Sequence, residues 1–178
     1  HLGAINHTLS MQIAPHSNRL VRSGDTEHSY DANGNLLTLQ AGQAVQWDAR
    51  NQPCAIAQVT RQDAGNDEER YIYGGGGKRL RKVLTWQTQA NSHTYEIRYL
   101  PGLEMRTNSA SHEKLEIVTL QAGRCRVQWL HWGTPPNGIV NDQLRYTLDD
   151  HLGSSTLELG DQAQLISQET YYPFGGTA

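Results

Sequence analysis

Asp149-Asp150-His151 sets two carboxylates directly beside an imidazole. Two carboxylates and an imidazole could hold a metal ion or act as an acid–base pair. That chemistry needs side chains that converge, whereas adjacent residues on a strand point to opposite faces. Gly153 follows and marks a turn, so the group is read as stabilising a turn. Gly74-Gly75-Gly76-Gly77-Lys78-Arg79 invites a phosphate-loop reading. That loop needs Gly, four residues, then Gly-Lys-Ser/Thr; here Ile72 stands at the first Gly position and Arg79 at the Ser/Thr position, and a flexible hairpin turn is the better account. Lys78, Arg79, Arg81 and Lys82 split between the two faces of a strand, so no basic stripe forms for nucleic acid.

The remaining reactive groups point the same way. His131 beside Trp132 shows no ligand partner in sequence and reads as a packed histidine. Cys54 and Cys125 are far apart, each in a strand-like run, and read as buried free thiols; without a CxxC there is no cysteine zinc motif. Nothing resembles Gly-x-Ser-x-Gly. A dispersed Ser-His-Asp set leaves no signature of its own in sequence. A hydrolase would need two carboxylates converging in a cleft. No metal or cofactor is expected.

The elements that would position these residues are strands. The chain has 178 residues, of which 37% are hydrophobic, with 17 Gly, 8 Tyr and 1 Phe. This is a polar, turn-rich, β-type composition. The net charge of −3 gives no reason to expect nucleic acid or an anionic membrane as partner. No apolar run approaches the ~20 residues of a spanning helix, and no signal peptide is visible. The chain begins at His1 without an initiator Met and is read as part of a longer chain.

Tyr30-Asp31-Ala32-Asn33-Gly34-Asn35-Leu36 is the clearest local signal. Asn33-Gly34 predicts a two-residue type I′ turn, with both residues at positive φ. Asp31 stands where its carboxylate can accept turn amides, and Tyr30 and Leu36 flank it as packing residues. Trp47-Asp48-Ala49-Arg50-Asn51 is a variant, 17 positions on from Asp31 to Asp48. Tyr73 opens a third hairpin with Gly74 in the Asp place. The repeat period is about 20 residues, the range where repeated supersecondary units are sought first.

Period-two alternation marks half-buried strands further on. Tyr95, Ile97 and Tyr99 share one face, with Glu96 and Arg98 on the other. Leu115 and Ile117, then Cys125, Val127 and Trp129, then Leu144, Tyr146 and Leu148 continue the pattern. Gln62 to Glu69 reads as an exposed acidic loop. Pro135-Pro136 excludes helix and central strand. No segment has apolar residues at helical spacing. The fold class is all-β: about a dozen antiparallel strands in a curved, open ribbon of hairpins.

Tyr30-Asp31-x-x-Gly34-Asn35-Leu36, Trp47-Asp48-x-x-Asn51 and Asn18-Arg19-Leu20 resemble the YD repeats of the Rhs family. Tyr146 with Asp149-Asp150-His151-Leu152-Gly153-Ser154-Ser155 resembles the start of the Rhs repeat-associated core. Tyr99-Leu100-Pro101-Gly102-Leu103-Glu104, Asn137 to Gln143, and Tyr171-Tyr172-Pro173-Phe174-Gly175-Gly176-Thr177-Ala178 resemble the C component of the tripartite Tc insecticidal toxin complexes of bacteria.

This resemblance implies a repeat region over residues 1–142 and a truncated repeat-associated core over 143–178. It implies a ribbon that spirals into a hollow shell. The C component joins a B component, and the shell holds a toxic C-terminal segment until a pore-forming A component takes it up. It implies a secreted complex with no direct membrane insertion by this part. The aspartyl autoprotease of the family lies downstream of the Tyr171 run, so no catalytic residue is carried over and the segment is expected to be no enzyme. The residues implied as structural repeat positions are Tyr30, Asp31, Gly34, Asn35, Trp47, Asp48, Asn51, Tyr73, Tyr146, Asp150, His151, Gly153, Tyr172 and Gly175. The sequon Asn6-His7-Thr8 carries no weight in a bacterial protein. An alternative is a surface or glycan-binding adhesion module, which would need exposed aromatics such as Trp86 or Trp132 along a groove.

Overall fold

Alternating apolar and polar residues, punctuated every several positions by Gly, Asn or Asp, leave this chain one regular option: short strands joined by tight turns. The computed structural model describes residues 10–40 and 42–172. The sequon at Asn6, Gly175 and most of the Tyr171-to-Ala178 run lie outside them.

Fourteen strands follow one another, with no helix among the described residues. They are β1 (Met11–Ile13), β2 (Leu20–Ser23), β3 (Thr26–Glu27), β4 (Val45–Trp47), β5 (Pro53–Val59), β6 (Asp67–Tyr73), β7 (Arg79–Gln87), β8 (Ser92–Leu100), β9 (Leu103–Asn108), β10 (Glu113–Ala122), β11 (Cys125–Trp132), β12 (Gln143–Asp149), β13 (Ser155–Leu159) and β14 (Leu165–Gln168). The strands β1–β3 form a small sheet, and β4–β14 form an 11-stranded antiparallel sheet whose spatial order is the chain order. Single bridges, Tyr30 to Leu36 and Thr38 to Ala44, carry the ribbon from Tyr30 toward β4. The two ends of the large sheet do not pair, so it is curved and open rather than closed into a barrel.

The register places a thin core on one face. Ile97, Arg106, Leu115 and Trp132 are successive cross-strand neighbours on β8–β11. Leu115, Ile117 and Trp132 pack as a buried cluster against Leu130. Val45 and Ala55 are the other apolar side chains to be buried with Ile97, and none of the large side chains is fully enclosed among the described residues. Burying one Leu or Ile side chain contributes about 1.5–3 kcal/mol. Stability in such a sheet therefore comes from cross-strand pairs repeated along the ribbon rather than from one central core.

The charged side chains are part of this lattice. Arg81 reaches Glu96 with two bonds of 2.8 and 3.0 Å, and Arg98 reaches the same carboxylate at 2.5 Å. Burial opposes ionisation of Glu96, but the two guanidiniums outweigh it and hold its pKa below the usual range. On the other face Lys82 pairs with Glu69 at 2.8 Å. A bulge near Ile72 and Tyr73 shifts the pairing, and the Arg79 guanidinium lies 4.4 Å from the centre of the Tyr71 ring.

Two local expectations are corrected. Gln62 to Glu69 is not wholly an exposed loop: β6 starts at Asp67, whose side chain is buried. Arg61 grips that carboxylate with bonds of 2.5 and 2.8 Å, and the Gln87 amide donates to it at 2.8 Å. The Arg61 hydrogen bond leads in lowering the Asp67 pKa. The thiols of Cys54 and Cys125 are free but only half-buried, because a one-layer sheet has no second layer to cover them.

Candidate functional site, a ladder of stapled turns

The residues singled out at the start of the chain assemble along one edge of the sheet as a series of like turns. In the first, the Asp31 amide donates to the Asn35 carbonyl at 2.9 Å and the Gly34 amide to the Asp31 carbonyl at 3.1 Å. Gly34 takes φ +92°. Asn33 does not adopt a positive φ, so this is not the expected type I′ turn. It is a longer loop with one left-handed residue, the other geometry that suits the strand twist. The Asp31 carboxylate decides between them: Oδ1 accepts the Asn35 amide at 2.8 Å and Oδ2 the Asn35 side-chain amide at 2.9 Å. These bonds need the five-residue span.

The same pattern recurs. Asp48 to Gln52 closes at 2.9 Å with Asn51 at φ 59°, and Asp48 Oδ1 accepts the amides of Arg50 and Gln52 at 2.8 and 2.9 Å. Asp150 to Ser154 closes at 2.8 Å with Gly153 at φ 84°, and Asp150 Oδ1 accepts Leu152 and Ser154 at 2.8 and 2.9 Å. Gly74 to Lys78 closes the same way without a carboxylate, with Gly77 left-handed, and at the opposite end of β13 Gly160 to Gln164 does so with Ala163 left-handed. Among Asx residues at strand ends, Asn108 does similar work, its Oδ1 accepting the amides of Ala110 and Ser111. Hydrogen bonds from Asn35, the side-chain amide first, hold the Asp31 pKa below the carboxylate range; the Ser154 amide leads for Asp150.

At four places an aromatic side chain then reaches back to an earlier turn. Tyr30 donates to the Leu20 carbonyl at 2.8 Å, Trp47 to Leu36 at 2.8 Å and Tyr73 to Pro53 at 3.0 Å, while the Tyr171 hydroxyl stands 2.8 Å from the Ser155 carbonyl and also contacts the Glu169 carboxylate. Each acceptor is the first residue after an earlier turn at the same end of the strands. Neighbouring turns also touch directly. Asn51 Oδ1 accepts the side-chain amides of Asn33 and Asn35 at 3.0 and 2.8 Å, and Gln52 donates to the Gly77 carbonyl at 3.4 Å. The Arg19 guanidinium stands over the Tyr30 ring and against Gly34, where an added Cβ would meet its Nη2 at 2.9 Å.

Not every residue read from the sequence joins this ladder. Tyr146 lies within β12 opposite Val127 and Leu159, half-buried. His151 is exposed at the tip of its turn. Tyr172 is 62% exposed, and it is Tyr171 that makes the latch. Sequence reasoning missed Tyr171 and Gln52 as members of the ladder.

The reactive groups stay apart. The Asp149 carboxylate faces Arg126 at 3.6 Å, while Asp150 is taken up by its own turn. No cluster of three His, Cys, Asp or Glu that could hold a metal occurs among the described residues. The quadruple glycine is a hairpin turn between β6 and β7, with no helix after it. His131 is not partnerless: it meets Asp142 at 2.7 Å and stacks on Trp129 at 5.2 Å. Trp132 is buried, so it offers no exposed platform. No helix among the described residues is long and apolar enough to cross a membrane.

A sequential meander whose turns carry an Asp staple and an aromatic latch defines a YD-repeat ribbon of the Rhs type. No protein-family profile matches the chain. It is 38% identical over 184 residues to the toxin subunits YenC2 and YenC1 of Yersinia entomophaga, covering 97% of this chain and 19% of each relative. The chain thus spans about a fifth of the length of these relatives. Among solved structures it superposes on TcdB2-TccC3 without its hypervariable C-terminal region with a TM-score of 0.87 and 38% identity, covering 97% of this chain and 9% of that one. The Photorhabdus luminescens Tc holotoxin pore gives 0.85 and 36%, with coverage of 97% and 8%. Over nearly its whole length the chain is similar to a stretch of the TccC-like components of Tc toxins.

Proposed function

We propose that this segment is wall: a stretch of β-shell which, with a B component, encloses the toxic C-terminal region of its own chain before transfer through the pore-forming A component. The observation that carries this reading is the latch from Tyr30, Trp47, Tyr73 and Tyr171 to an earlier turn. It adds one hairpin after another without closing a core, which suits a sheet that walls off a space. The likeness to TcdB2-TccC3 over nearly the whole segment supports the same role.

The segment has no catalysis of its own in this reading, and works outside the producing cell as part of the complex. Asp31, Asp48 and Asp150 staple their turns, and Tyr30, Trp47 and Tyr73 fasten the ribbon. Residues 1–142 belong to the repeat ribbon and 143–178 to the start of the repeat-associated core; β11 and β12 pair across that boundary. Co-expression of the full-length parent with a B component, followed by electron microscopy, tests it. A hollow particle with this stretch in its wall is the expected result; a solid or non-assembling product overturns it.

A further inference from the structure

Most strand carboxylates on the ribbon have a cation: Glu68 has Arg70, Glu69 has Lys82, Glu96 has Arg81 and Arg98, Glu104 has Arg106, and Glu158 has Arg145; among the described residues Glu27 and Glu116 have none, but both are exposed to water. Glu113 forms no such pair among the described residues. It is half-buried at the start of β10, and the indole N–H of buried Trp132 donates to its Oε1 at 3.1 Å. That bond fixes the carboxylate and leaves Oε2 for another partner. The nearest arginine on this face, Arg106, is taken by Glu104, and Lys114 follows on the opposite face.

Glu113 ends a row of cross-strand neighbours: Leu84, Tyr95, Asn108, Glu113 on β7–β10. Trp86, two places along from Leu84, completes an open groove of about 390 Å³ lined by these five residues. His93 braces the Trp86 ring at 5.4 Å. The groove thus combines an indole, a phenol, an aliphatic side chain and one carboxylate without a counter-ion. A π-face attracts a cation, and more strongly where the cation is partly desolvated; a carboxylate without a partner adds a charge-assisted bond.

We propose that this groove binds an organic cation, an alkylammonium or guanidinium group, with Trp86 and Tyr95 as its aromatic walls and Glu113 as its counter-charge. Two sources present that chemistry, a basic side chain of a polypeptide or a free quaternary ammonium.

The test is saturation-transfer NMR on the full-length parent chain assembled with its B component. The probes are N-acetyl-lysine methylamide, N-acetyl-arginine methylamide, tetramethylammonium and, as a neutral control, methyl β-glucoside. Saturable binding of one or more cations is expected, weakened about fivefold or more in both Glu113→Gln and Trp86→Leu. Gln keeps an acceptor for Trp132, so Glu113→Gln removes the charge and spares the fold; an unchanged melting temperature checks this. Binding of the lysine or arginine probe identifies a side-chain source, and tetramethylammonium alone a free ammonium. No cation binding, binding unaffected by Glu113→Gln, or preference for the glucoside overturns the proposal. Assembly of the shell is independent of these outcomes, so failure here leaves the wall reading intact.

Discussion

The indole N–H of Trp47 donates to the carbonyl oxygen of Leu36 at 2.8 Å. Trp47 stands one place before its own Asp48 turn, and Leu36 one place after the Asp31 turn, so a single bond ties two loops. If these latches hold the ribbon, removing the donor alone is measurable. Tyr73→Phe keeps the ring and loses the bond to Pro53, and is expected to destabilise by about 0.5–1.5 kcal/mol. Urea denaturation of the chain reads this; an unchanged midpoint would show the latch to be incidental.

Acid should loosen the turns. Asp31, Asp67 and Asp150 all have pKa values held below the ordinary carboxylate range, by Asn35, Arg61 and the Ser154 amide first in each case. Their contribution is complete above the unfolded value of about 3.9 and is lost as pH falls through the lower folded values. Unfolding midpoints should be level near neutrality and drop below about pH 4. Asp31→Asn should flatten part of that drop; an identical acid limb in the variant counts against the staple.

One turn carries avoidable strain. Ala163 sits at φ 60° where the like turns place Gly or Asn. The left-handed region disfavours a Cβ by about 1–2 kcal/mol, while Gly adds unfolded-state entropy of about 0.5–1 kcal/mol. Ala163→Gly is therefore expected to stabilise by about 0.5–1 kcal/mol, read as a higher urea midpoint.

The thin core concentrates its stability at few positions. Trp132→Ala empties the centre of the cluster with Leu115 and Ile117 and frees Glu113. A loss of about 3–5 kcal/mol is expected by denaturant titration. The same change at Trp129, 37% exposed on the opposite face, should matter far less.

Strands and turns were legible because both are local. Period-two runs such as Tyr95-Glu96-Ile97-Arg98-Tyr99 declare a strand, and Gly34, Asn51 and Gly153 declare positions that need positive φ. The turn geometry at Asn33-Gly34 was not legible, since the preference for Asn-Gly competes with a carboxylate two residues upstream. Partners set by register were hidden as well. Arg61 and Asp67 look like loop charges until β6 and β7 bring Gln87 beside them, and His131 gains Asp142 only when the Pro135-Pro136 loop folds back. The groove at Glu113 needs four strands in register before its residues are neighbours.

Each latch lies later in the chain than the loop it secures: Tyr30 closes on Leu20, Trp47 on Leu36, Tyr73 on Pro53 and Tyr171 on Ser155. A polypeptide emerging from the ribosome can therefore lock each rung as soon as the next aromatic is synthesised. Assembly is directional, and the newest loop is the one still waiting for its bolt.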